Sequence, residues 1–137
     1  MQREQIDELI VQLIVIKEFS KDIHYTCHGE AFYAKHLLVD KFSWDESIDL
    51  LKECVLLGHD ERPKTSKEYL NEASTVLMIP DVANDKRNFN ILLELINMTL
   101  LNINGLQNLS KADENVIGSI AQDLQQYKGL INLQIEE

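Results

Sequence analysis

The chain of 137 residues is long enough for one domain with a real core, residues 1–137, and too short for two. An apolar content of 45% with five glycines and two prolines excludes a disordered chain. A formal charge of −10, from 23 acidic and 13 basic residues, repels phosphate and concentrates cations, so cation handling ranks ahead of nucleic-acid binding.

The opening MQREQIDEL has acids where a secretory signal needs a basic start and an apolar run. The longest apolar stretches, such as Leu13 to Ile16, fall far short of a membrane span. A soluble cytoplasmic protein with no membrane partner is expected. Cys27 and Cys54 are too few for a disulfide framework.

Ile6, Leu9, Ile10, Leu13, Ile16, Phe19 and Ile23 recur at helical spacing and predict a first helix, with Gly29 as its C-terminal stop. Ile14 and Val15 widen its apolar stripe, as for a helix packed on two sides. A second helix is predicted from about Glu30 to Leu57, stopped by Gly58, with Phe32, Leu37, Leu38, Ile48, Leu51 and Val55 inward. The polar stretch HDERPKTSKEYLNEAS is a connection in which Thr65 or Ser66 caps a short helix carrying Glu68 in its first turn. Pro80 marks a further loop. Phe89, Leu92, Leu93, Ile96, Leu100, Ile103 and Leu106 then line a third long helix. Ser110 caps a fourth, whose stripe is Val116, Ile117, Ile120, Leu124, Tyr127, Ile131 and Ile135. The expected fold is all-α: a four-helix bundle with a short extra helix in the long crossover between helices two and three.

The stretch IHYTCHGEAFYAKH, residues 23–36, holds three of the four histidines. Asp40 follows His36 by one turn, and Asp49 and Glu53 form another pair one turn apart. Imidazole with carboxylate suits an iron or zinc site with open positions. Each element also has an ordinary explanation. A lone helical histidine is more often surface or hydrogen-bonded core, and an Asp-x-x-x-Glu pair is more often a solvated face. Cys27 is explained as a small buried hydrophobe and His28 as a cation at a helix C-terminus. His59 lies in the connection and carries no signal. Spacing alone does not single out a metal site.

The order of residues adds a resemblance. His24-Tyr25, Gly29, Phe32 and His36, then Ile48-Asp49 and Glu53, then Arg62-Pro63-x-Thr65-x-x-Glu68-Tyr69-Leu70-x-x-Ala73-Ser74, and finally the stretch Ile120 to Tyr127, resemble the Dps family of mini-ferritins. The resemblance is collinear over nearly the whole chain, and the RPxTxxEYLxxAS segment is its most specific part. It implies a ferritin-like bundle assembled as a hollow homo-oligomer, a dodecamer. Such a shell oxidises Fe²⁺ with hydrogen peroxide or oxygen and stores the ferric product, protecting against oxidative stress. Iron is the implied metal, with zinc as a substitute. The implied ferroxidase site lies between subunits: His24 and His36 from one, with Asp40 nearby, and Asp49 and Glu53 from its partner. Two other functions stay open: a DNA-protecting shell with little ferroxidase activity, and a catalytically silent assembly protein.

The sequence departs from the family pattern. His36 and Asp49 are thirteen residues apart where relatives have about fifteen, which on a continuous α-helix turns them about 140° apart instead of about 60°. Three outcomes are open: a helix restart through a capping box at Ser43-Trp44-Asp45-Glu46, replacement by Asp45 or Glu46, or an impaired site. Tyr25 stands where tryptophan is commoner. No lysine-rich tail precedes the first helix, which disfavours DNA as a partner. Asp113 and Glu114 match acids that line a pore for iron in relatives, or are ordinary acids of a helix N-terminus, and Gly118 stands where another acid is often found.

Overall fold

The computed structural model describes residues 2–26 and 42–136. Five α-helices lie within them: α1 (Arg3–His24), α2 (Trp44–Leu50), α3 (Ser66–Val76), α4 (Asp85–Asn104) and α5 (Lys111–Glu136). Helix α2 continues without a break into a π-helical turn, Leu51–Leu56, and a 3₁₀ turn, Leu57–His59. No strand occurs among the described residues.

Polar pairs between the helices fix their directions. Lys17 on α1 reaches Asp45 at the start of α2, while Arg3 reaches Glu61 just past its end, so this pair is antiparallel. The Asn102 amide on α4 donates to the Gln5 carbonyl, and the Gln107 N–H donates to the Gln2 side chain, so α1 and α4 are also antiparallel. Helices α2 and α4 therefore run parallel, and the chain between them must cross the length of the bundle. Helix α3 covers that crossing. On α5, Asp113 meets His59 and Tyr127 meets Ser20, which sets α5 parallel to α1. The order up, down, down, up is the topology of the predicted bundle.

The core follows the apolar stripes. All seven predicted core positions of α1 are at most 1% exposed, and Ile14 and Val15 are buried as well. That second face packs because α1 touches α2, α3 and α4 together. Each such aliphatic side chain contributes about 1.5–3 kcal/mol when fully buried. Ile48, Leu51 and Val55 face inward from the second helix, and Ile117, Ile120, Leu124, Tyr127 and Ile131 from α5. Phe42, Trp44 and Tyr127 form an aromatic cluster with ring centroids 5.3–5.8 Å apart.

Several boundaries differ from expectation. Helix α1 ends at His24, because the Tyr25 and Thr26 N–H groups donate to the Asp22 and Ile23 carbonyls and tighten the last turn. The Thr26 hydroxyl adds a second bond to Ile23. Gly29 lies outside the described residues, as does the predicted start of the second helix. The helical run does not stop at Gly58. It continues to His59, and Asp60 makes the reversal in the left-handed region at φ 59°. Helix α4 begins a turn earlier than its apolar stripe, because the Asn84 side chain accepts from the Arg87 N–H at 2.9 Å.

Candidate metal centre

His24 is the last residue of α1, at the exposed end of a helix whose other side is core. Its Nδ1 is buried, and its ring stands edge-on to Tyr25 with centroids 4.9 Å apart. Tyr25 itself is 80% exposed. His36 and Asp40 lie outside the described residues, together with Cys27 and His28.

Asp49 sits in the last turn of α2 and Glu53 in the π turn, both exposed. The helix restart offered for the short His36–Asp49 spacing forms in part. Ser43 does occupy the N-cap position, with extended backbone at ψ 91°, so the helix starts at Trp44. The capping box itself does not form, since the Ser43 side chain makes no cap hydrogen bond. The π turn begins past Asp49 and bears only on the direction of Glu53 relative to it. Its i→i+5 bonds rotate less per residue than an α-helix, which shrinks the offset of about 40° that separates positions i and i+4. Glu53 therefore stands more nearly in line with Asp49 than an α-helix would place it.

Of the substitute acids, Asp45 is already engaged: the Lys17 Nζ lies 2.8 Å from its Oδ1. This hydrogen bond, before any wider electrostatic effect, raises the Lys17 pKa. Asp45, Asp49, Lys17 and Lys52 line one cleft of about 180 Å³, and the Lys52 ammonium stands 5.4 Å from the Tyr69 ring centroid.

The Lys17–Asp45 contact also sets the register of His24 against Asp49 and Glu53. From Lys17, His24 lies two turns on toward one end of the bundle, about 10 Å away. From Asp45, Asp49 and Glu53 lie in the opposite direction. Within one chain His24 is thus about 16 Å from Asp49 along the bundle, and farther still from Glu53. Donors to one metal ion each lie about 2 Å from it. Among the described residues no three His, Cys, Asp or Glu side chains gather in a way that holds a metal, which agrees with this separation. Within one chain, His24 and the Asp49–Glu53 pair therefore do not hold one metal ion together.

Two polar clusters went unread in the sequence. His59 Nε2 lies 2.6 Å from Asp113 Oδ2, and Asp113 is only 4% exposed. The Asp113 N–H also donates to the Ser110 hydroxyl, as the predicted cap requires. Asp113 is therefore committed within its own chain to the N-terminus of α5, the ordinary role allowed for it, while Glu114 is exposed. The second cluster explains the RPxTxxEYL segment. The Tyr69 hydroxyl donates to Asp7 Oδ1 at 2.7 Å and accepts from the Lys64 N–H. Arg3 Nε donates to the other Asp7 oxygen, and its guanidinium also reaches Glu61 and the Arg62 carbonyl. Burial first, then the bond to Asp7, pushes the Tyr69 phenol up to about 12. These residues moor the crossover to α1.

Among the described residues, no helix is long and apolar enough to cross a membrane. The sequence matches no family model and no curated protein. Solved structures do match. The DPS protein from Vibrio cholerae O1, a member of a broad superfamily of ferritin-like diiron-carboxylate proteins, is 16% identical with a TM-score of 0.64; the match covers 96% of this chain and 87% of that one. Antigen TpF1 from Treponema pallidum is 19% identical with a TM-score of 0.64, over 98% of this chain and 90% of that one. The chain thus shares the helical-bundle fold of a Dps protein and of antigen TpF1.

Proposed function

We propose that the protein is a ferroxidase and iron store that works as a hollow homo-oligomer, a dodecamer, in the cytoplasm. His24 and His36 supply imidazole nitrogens from one subunit, with Asp40 beside them, and Asp49 and Glu53 of the partner subunit supply carboxylate oxygens. Two Fe²⁺ ions each give up one electron, and a peroxide takes both. Its O–O bond breaks and two protons complete two waters. Peroxide is thereby consumed without releasing a hydroxyl radical, and the Fe³⁺ product passes to the cavity.

The observation that carries this reading is the register of α1 against α2. It holds His24 apart from Asp49 and Glu53 within one chain while leaving both acids on the surface. Leu50, Leu57 and Leu70 are 40–51% exposed close to these acids, an apolar rim of the sort that a second subunit covers. The net charge of −10 supports attraction of Fe²⁺.

The test is Fe²⁺ oxidation driven by peroxide, followed by the absorbance of the ferric product. The His24→Ala/His36→Ala variant is expected to be at least about tenfold slower than wild type, the scale on which loss of metal-site residues acts. Equal rates would overturn the proposal.

A further inference from the structure

We propose that Lys17 is a specificity-determining residue of the acidic half of this site. Its ammonium occupies the Asp45 carboxylate and closes the Asp45–Asp49 face of α2 to divalent cations, so that Asp49 is left for a metal held by another chain. The functional consequence rests on the reading of Asp49 as a ligand; the cation exclusion does not.

Asp45 and Asp49 are one turn apart on α2 and line the same cleft. Two carboxylates so placed can share a divalent cation between them, and in a chain of charge −10 such a pair would attract one. The cleft does not present them bare. Lys17 Nζ sits 2.8 Å from Asp45 Oδ1, with Glu18 Oε1 at 3.5 Å, and Lys52 lines the same cleft above the Tyr69 ring. Two ammoniums thus face three carboxylates, Asp45, Asp49 and Glu18, and Lys17 lies closest to Asp45.

The Lys17 side chain is 28% accessible and Asp45 67%. An ion pair so exposed adds little to stability. What the ammonium does change is the field a cation meets at Asp45: it sets a positive charge 2.8 Å from Oδ1 and engages that oxygen. A cation held by Asp45 and Asp49 of one chain would keep Asp49 from the imidazoles of the next. Lys17 prevents that diversion.

The test is Co²⁺ binding to the intact assembly, counted by titration calorimetry for wild type, Lys17→Met, Lys17→Arg and Lys17→Met/Asp45→Asn. Methionine keeps the apolar stem, and arginine keeps the charge should methionine perturb the fold. Lys17→Met is expected to gain one Co²⁺ per chain, the double variant to lose it again, and Lys17→Arg to match wild type. An unchanged count in Lys17→Met, or a gained site that survives Asp45→Asn, overturns the inference. Failure of the ferroxidase reading looks different: the wild type would bind no Co²⁺ that His24→Ala removes, whatever Lys17→Met gains.

Discussion

The Tyr69 hydroxyl on α3 donates a 2.7 Å hydrogen bond to the Asp7 carboxylate on α1, and both groups are buried. This bond pins the crossover helix to the first helix and leaves the acids of α2 uncovered beside it. Tyr69→Phe removes one donor from a buried carboxylate that keeps Arg3, and is expected to lower stability by about 1–3 kcal/mol in urea unfolding at neutral pH.

The same tyrosine predicts a pH dependence. Folding raises its pKa from the ordinary 10.0 to about 12, so the fold favours the neutral phenol. Its contribution is fully present below pH 10 and is lost as the pH rises toward 12, a loss on the order of 2 kcal/mol. Wild-type stability should fall across that window, and Tyr69→Phe should flatten this part of the profile.

His59 faces a carboxylate that is almost wholly buried. Replacing it with alanine leaves Asp113 with the N-terminus of α5 as its main compensation, at a cost of about 1–3 kcal/mol. A double-mutant cycle with Asp113→Asn checks the cause: the second substitution should cost much less in the His59→Ala background than in wild type.

The short helix depends on its cap. The Thr65 hydroxyl accepts from the Glu68 N–H at 3.2 Å while the Glu68 carboxylate accepts from the Thr65 N–H at 3.1 Å. The Thr65 backbone N–H and then its hydroxyl hold the Glu68 carboxyl below the usual carboxylate range. Thr65→Ala should destabilise the protein by about 1 kcal/mol, read as a lower urea midpoint with an unchanged slope.

A site shared across a two-fold axis predicts complementation. Glu53→Gln and His24→Ala oligomers should each oxidise Fe²⁺ slowly. Co-assembled from equal amounts of both chains, they should recover about a quarter of wild-type activity, because half the pairs are mixed and each mixed pair holds one intact site. Absence of recovery after verified co-assembly would place both halves in one chain.

The bundle was legible because burial between helices leaves a 3.6-residue trace, as in Ile6 to Ile23 and Val116 to Ile135. The short helix was legible because Thr65 and Glu68 are local and their chemistry is specific. The π turn at Leu51–Leu56 was not, since six residues are too few to shift an apolar period visibly. Lys17–Asp45 and His59–Asp113 stayed hidden for another reason. Their partners are distant in sequence and meet only once helix directions and register are fixed. The departure at Gly58 is smaller: glycine is the usual C-terminal stop, but Asp60 accepts the left-handed conformation two residues later.

The most direct measurement is anomalous diffraction from crystals of the intact oligomer soaked in Co²⁺. A peak is expected within about 2.0–2.2 Å of a His24 nitrogen in one subunit and of an Asp49 or Glu53 oxygen in its neighbour. A cation bound elsewhere, with His24 bare and both acids in open solvent, would contradict the shared site.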